Sequence, residues 1–285
     1  MKSVLYTSIL QTPILLLGSL IILVLGFKEL GGWDEMMRIC GAVTVNDYGN
    51  TMTELIRSNN DPNFPWLGAL IGSAIIGFWY WCTDQHIVQR VLGQRKGEAN
   101  DVVMKRARRG SIAAGYFKIL PVFMFLIPGM VAAALAAKGE FDMSNTDAAF
   151  AVMVKDVLPA GVKGIVTIGF ICALVASLAA FFNSCATLFT EDFYKPMCKG
   201  KSEATYVLVG RVATVVVVIL GMAWIPVMMS LGSLYDYLQG IQSLLAPAMV
   251  AVFAMGIFSK RITPKAGEAA MILSLIHISE PTRRS

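Results

Sequence analysis

Histidine is nearly absent from this 285-residue chain, in which His86 and His277 are the only two. Charge is scarce as well, at 15% of residues against 56% hydrophobic. The usual catalytic signatures are missing too: the chain contains no HExxH, GxSxG, paired CxxC or phosphate-cradling GxxxxGKS/T string. Metalloprotease, serine-hydrolase, dithiol and P-loop chemistry are therefore left without their sequence marks, and no catalytic site is found. Five scattered cysteines, with only Cys40 on the outer side of the topology below, give no reason to expect an internal disulfide.

What is abundant is apolar sequence. A mean hydropathy of +0.63 is far above that of a soluble domain, and apolar runs of about 20 residues can each cross roughly 30 Å of hydrocarbon as a helix. Such runs occupy 10–27, 66–88, 111–137, 162–189, 207–230 and 235–258. The expectation is an all-α polytopic membrane protein with about six spans and the start of a seventh near 267–273. The net charge of +5 sorts by loop and does not point to nucleic acid. Arg90, Arg95, Lys96, Lys105, Arg106, Arg108 and Arg109 follow the second span, Lys195, Lys199 and Lys201 the fourth, and Lys260, Arg261 and Lys265 the sixth. The positive-inside rule makes these connections cytoplasmic and places the protein in the cytoplasmic (inner) membrane. Acids such as Glu29, Asp34, Glu35, Asp47, Glu140 and Asp156 fall in the alternate connections, which are then outside.

In the first outer connection, Trp33, Met36, Met37 and Cys40 recur at helical spacing. This predicts a short interfacial helix or a loop packing its apolar residues on the membrane domain. Pro13, Pro121, Pro128, Pro226 and Pro247 lie inside spans, where each removes a backbone hydrogen bond.

Polar residues at bilayer depth mark candidate sites. The run Trp79-Tyr80-Trp81-Cys82-Thr83-Asp84-Gln85-His86 interrupts the second span. Tyr80 and Trp81 offer flat faces to a sugar ring, or belong to an interfacial aromatic belt. Lys118, inside the third span, either donates to a polar ligand near the midplane or snorkels to the cytoplasmic surface. Gln239 can both donate and accept, as a polyol requires, or can satisfy helix-end carbonyls. In the fourth span, Ala173 to Ser177, followed by Asn183, Ser184 and Thr187, provides carbonyl and hydroxyl oxygens suited to sodium, or small residues for close helix packing.

Together these strings resemble the sodium/solute symporter family, in its sodium/glucose cotransporter-like branch. The matching residues include Leu10-Gln11-Thr12, Leu17-Gly18-Ser19, Trp79 through Gln85, Ile87-Val88-Gln89-Arg90, Lys118, Pro128-Gly129-Met130, Phe182-Asn183-Ser184, Thr187 through Thr190, Gly210-Arg211 and Asp236 through Gln239. The resemblance implies a partial five-plus-five inverted-repeat transporter fold, comprising the last helix of repeat one plus repeat two, with the preceding core helices of the parent chain missing. It implies substrate contacts from Tyr80, Trp81, Lys118 and Gln239. It also implies Na+ as coupling ion, held by carbonyls near Ala173 and Ala176 and by the Ser177 hydroxyl.

Two departures bear on coupling: Ala176-Ser177 stands where adjacent serines are common, and Tyr6-Thr7-Ser8 lacks a carboxylate found in the family. The implied activity is sodium-coupled symport of a monosaccharide or polyol. Related substrates (myo-inositol, a sialic acid, an amino acid, a carboxylate) and a non-transporting sugar sensor are the alternatives. Residues 1–273 read as a transport-domain fragment, inactive alone. Residues 274–285 read as a non-native read-through tail, and the chain as open at both ends.

Overall fold

In the computed structural model the described residues are 2–45, 49–61, 64–92, 100–142, 145–230 and 233–279, with backbone only for 2–10, 90, 92, 275 and 277–279. Met1, Asp47, Arg95, Lys96 and the tail from 280 onward lie outside the described residues. So do the side chains of Tyr6, Thr7, Ser8, Arg90 and His277.

The described chain is helical, apart from an isolated bridge between Thr44 and Thr51. Helix α1 spans Lys2–Leu30, α2 Trp33–Ala42, α3 Trp66–Phe78, α4 Gln85–Leu92, α5 Asn100–Phe117, α6 Ile127–Ala137 and α7 Ala149–Val157. After these come α8 over Ala160–Leu188, the single turn α9 over Lys195–Met197, α10 over Glu203–Ser230, α11 over Leu234–Phe258 and α12 over Pro264–Ser279. Among the described residues six helical stretches are long and apolar enough to cross a membrane: Gln11–Leu30, Trp66–Thr83, Asn100–Ala137, Ala160–Met197, Glu203–Ser230 and Leu234–Phe258. The protein is a multi-pass, all-α protein of the cytoplasmic membrane. Helix α12 includes residues 274–279.

Two boundaries differ from the expectation. The third span begins at Asn100 rather than 111, because Lys105, Arg106, Arg108 and Arg109 are good helix formers although they stop the hydropathy run. The second is not one continuous helix to 88. Asp84 adopts an extended conformation (ψ 118°), and its Oδ1 accepts the His86 N–H at 2.8 Å, which starts α4 anew.

The chain divides into two compact units, residues 1–55 with 95–228, and residues 56–94 with 229–285. In the first unit, α1 packs against α6, α7 and α8, and α2 packs on α6. Its core gathers Ile22, Leu30, Met36, Cys40, Val131, Leu135, Met153 and Val166. On the topology above, these belong to the outer halves of their helices. The α1–α8 contact depends on missing side chains: a Cβ on Gly18 would lie 2.6 Å from Val166 Cγ2, and one on Gly169 2.7 Å from Ile14 Cγ2. Small residues at reciprocal positions bring the two backbones together, which is how helices associate where lipid removes the hydrophobic drive. The α2 segment is both a helix and a packed element, with Met36 and Cys40 fully buried and Trp33 against Phe27 at 5.9 Å.

In the second unit α11 packs against α3, the turn that follows α3, and α12. Phe78 and Phe253 meet edge to face at 6.4 Å.

Candidate functional site

Three of the long helices widen into single π-turns, at Trp79–Thr83, Val122–Leu126 and Phe189–Tyr194. A π-turn inserts a residue into the helical ladder, re-aims side chains and is frequent at functional sites. The first carries the aromatic candidates. Tyr80 and Trp81 sit edge to face, 5.6 Å apart with an 88° interplanar angle, and Trp79 lies 6.5 Å from Tyr80. Thr83 Oγ1 donates to the Trp79 carbonyl at 2.8 Å across the turn, and the Asp84 break follows at once. Trp81 is 40% exposed while Tyr80 is half-buried, so the pair presents one open aromatic face at the end of a broken helix.

Gln239 lies in α11 of the same unit. Ser233 caps that helix by accepting the Asp236 N–H, so the Gln239 amide is not needed for capping and makes no hydrogen bond among the described residues. It stands 14 residues before Phe253, about 21 Å along the helix. Tyr80 and Trp81 are brought together, and Gln239 sits well along α11 from the point where that helix meets Phe78.

Lys118 belongs to the first unit and marks the interruption between α5 and the Val122–Leu126 π-turn. Its N–H reaches both Ala114 and Gly115 carbonyls, at 3.0 and 3.2 Å, and Pro121 has no N–H to offer the Phe117 carbonyl. A broken helix carrying a lysine inside a 38-residue stretch is a polar locus at depth.

Ala173, Ala176 and Ser177 lie in the unbroken middle of α8. Ser184 Oγ donates to Ala180 O at 3.0 Å and Thr187 Oγ1 to Asn183 O at 2.8 Å, both within their own helix. The Ser177 hydroxyl makes no such bond among the described residues. Ala173 and Ala176 are half-buried and Ser177 is exposed. Among the described residues no cluster of histidine, cysteine and carboxylate side chains could hold a metal.

Sequence spacing gave no sign of a polar lock on the outer face of the first unit. Lys138 at the end of α6 donates to the Leu30 carbonyl at 2.9 Å and lies 3.6 Å from Glu35, which is paired with Arg38 at 2.7 Å. The Arg38 hydrogen bonds, then its charge and that of Lys138, outweigh desolvation and hold the Glu35 carboxyl at about 2 against an ordinary 4.5. Beside it the Cys40 thiol, its pKa raised by burial, donates to Met130 O at 3.5 Å.

The model of the sodium:solute symporter family matches residues 1–274. Sheep sodium/glucose cotransporter 1 (Ovis aries) is 33% identical over 97% of this chain and 45% of its own length. Pig sodium/myo-inositol cotransporter 2 (Sus scrofa) is 35% identical over 97% and 44%, and the cattle sodium/mannose cotransporter (Bos taurus) 32% identical over 99% and 52%. The chain thus spans about half the length of the curated relatives it matches. With a family model covering nearly all of it and helices broken at polar residues inside the membrane, the chain belongs to the sodium:solute symporter family, whose members are transporters and not enzymes.

Proposed function

We propose that this chain carries part of the substrate and ion path of a sodium-coupled symporter for a monosaccharide or related polyol. The observation that supports this best is the Tyr80–Trp81 pair, held edge to face in a π-turn where the second span breaks. An aromatic face packs on the C–H side of a sugar ring while its rim joins hydrogen bonds. Lys118 donates to ring hydroxyls, and Gln239 both donates and accepts, matching groups that do the same. The coupling ion is Na+, taken by the Ala173 and Ala176 carbonyls and Ser177 Oγ.

On this reading the other wall of the site is built by further helices of the full-length protein, at the interface of two inverted repeats. Cation binding favours the outward-open state, and sugar binding closes the aromatic gate beneath it. Each ligand shifts the equilibrium only by its difference in affinity between the two states. The class of relatives named for glucose, mannose and myo-inositol supports a polyhydroxylated substrate.

The test is uptake of labelled glucose, mannose and myo-inositol by the full-length protein, with and without sodium, beside Tyr80→Ala and Gln239→Ala. Sodium-dependent uptake of at least one, lost in both variants, is the expected result. Uptake indifferent to sodium, or untouched by both substitutions, sinks the assignment.

A further inference from the structure

At the cytoplasmic end of the first unit, a cavity of about 620 Å³ separates the foot of α8 from the start of α10. Its lining is graded with depth. At the rim lie Lys195, Glu191 and Glu203, then Thr190 and Arg211, and farther along the two helices Ala179, Phe182, Asn183 and Thr214. The register is set by contacts across the cavity: Lys195 Nζ sits 5.1 Å over the Tyr206 ring, and Thr190 Oγ1 lies 3.4 Å from where a Gly210 Cβ would be.

The charges form one hydrogen-bonded pair and two groups outside it. Lys195 binds both oxygens of Glu191 at 2.6 and 2.8 Å, and its charge also acts on Glu203. Glu203 and Arg211 make no ion pair among the described residues, and they stand eight residues, about 12 Å of helix, apart. The anion is shallow and the cation deep. Arg211 lies two turns inside an apolar helix, where an unpaired guanidinium calls for an anion or for snorkelling.

Thr190 is 93% buried, and its hydroxyl has no hydrogen-bond partner among the described residues. The other two threonines of the cavity, Thr187 and Thr214, give their hydroxyl protons to the carbonyls one turn back. Thr190 sits in the π-turn and does not, and its oxygen is enclosed against Gly210 at the contact of α8 with α10.

We infer that this cavity binds the headgroup of a phosphoethanolamine lipid from the cytoplasmic leaflet. The phosphate meets Arg211, the primary ammonium rises to Glu203 at the rim, and the acyl chains leave past Ala179 and Phe182. Both headgroup charges find a counter-charge in the depth order that a lipid presents them. A phosphocholine group offers no N–H to Glu203, and a phosphoglycerol group offers no cation, so the site discriminates between headgroups of similar size.

The experiment is native mass spectrometry of the purified full-length protein in detergent with phosphatidylethanolamine, phosphatidylcholine and phosphatidylglycerol. The expected result is retention of the ethanolamine lipid about tenfold over the choline lipid, the factor for one charge-assisted hydrogen bond. Arg211→Gln should lose both the ethanolamine and glycerol lipids. Glu203→Gln should lose the ethanolamine preference while keeping the glycerol lipid, which also shows that the variant is folded. Equal retention of all three lipids, ethanolamine retention unchanged in both variants, or complete displacement by soluble phosphoethanolamine would each overturn the lipid site.

Discussion

The Lys138 ammonium donates to the Leu30 carbonyl at 2.9 Å, closing the end of α1 with a side chain from the end of α6 across 108 residues of sequence. Helix α1 ends at Gly31 and Gly32, both at positive φ, whose N–H groups return to the Phe27 carbonyl. The Leu30 carbonyl is thus left for Lys138, and a cation there also complements the helix dipole. Lys138→Met is expected to lower stability by about 1 kcal/mol, the scale of one such bond, with Lys138→Arg largely restoring it. Thermal unfolding in detergent, followed by tryptophan fluorescence, reads the difference.

Glu35 makes the same lock sensitive to pH. Its carboxyl is held at about 2 against an ordinary 4.5, so the folded state resists a proton that the unfolded state accepts. The contribution is complete above about 4.5, declines as pH falls through the window between the two values, and is gone below about 2. Glu35→Gln should therefore be less stable than the parent at neutral pH, with the gap closing progressively below 4.5. The pair is solvent-exposed, so added salt should narrow the gap as well. A gap that widens on acidification would contradict this assignment.

The α1–α8 contact is reciprocal, and its test is a pair of substitutions. Gly18→Ala drives a methyl to within 2.6 Å of Val166 Cγ2, overpacking that costs about 1–3 kcal/mol. Val166→Ala alone opens a small cavity. The double variant should recover much of the first loss, giving a coupling that additivity does not predict. Thermal unfolding of the four proteins measures it, and simple additivity would show that the backbones move apart instead.

Hydropathy made the spans legible because a bilayer imposes one rule on every residue at its depth. The spacing of Trp33, Met36, Met37 and Cys40 left α2 open between a short helix and a packed loop, and the segment is a helix with Met36 and Cys40 buried. The start of the third span was not legible, since Lys105 through Arg109 are helical but polar, and hydropathy reports the membrane rather than the helix. The π-turns were hidden as well: nothing in Trp79–Thr83 or Phe189–Tyr194 forbids a regular turn, and the widening depends on what the neighbouring helix admits. Lys138 could not be connected to Leu30 or Glu35 from sequence, because the connection exists only after α1, α2 and α6 have packed. Intramembrane polarity marks Tyr80, Trp81, Lys118 and Gln239 as candidates, whereas Ala173 and Ala176, proposed as sodium ligands, would offer only backbone oxygen, which no side-chain pattern can mark.

The break after the aromatic pair gives a further prediction. Asp84 caps α4 through the His86 N–H at 2.8 Å, and loss of such a cap costs about 1 kcal/mol. Asp84→Ala should destabilise α4 and loosen the turn holding Trp81, while Asp84→Asn, which keeps the acceptor, should do neither. The near-ultraviolet dichroism of the Trp79–Trp81 cluster is the measurement. An unchanged spectrum in Asp84→Ala would mean that the π-turn is held by Thr83 alone.

The hydroxyls of α8 separate a cation site from mere helix packing. Ser177, Ser184 and Thr187 all lie on one helix, but Ser184 and Thr187 give their protons to the carbonyls of Ala180 and Asn183. Ser177 has no such attachment among the described residues. If it ligates sodium, Ser177→Ala in the full-length protein should raise the sodium concentration needed for half-maximal uptake by about tenfold, the equivalent of about 1.4 kcal/mol. Maximal uptake at saturating sodium should change little, while Ser184→Ala and Thr187→Val leave the sodium dependence where it was. A packing role predicts the opposite pattern: reduced thermal stability and maximal rate in proportion to burial, largest at Ser184, the most buried of the three, with no selective shift in sodium dependence. Sodium titration of the three variants therefore decides between ligand and spacer, whatever the identity of the sugar.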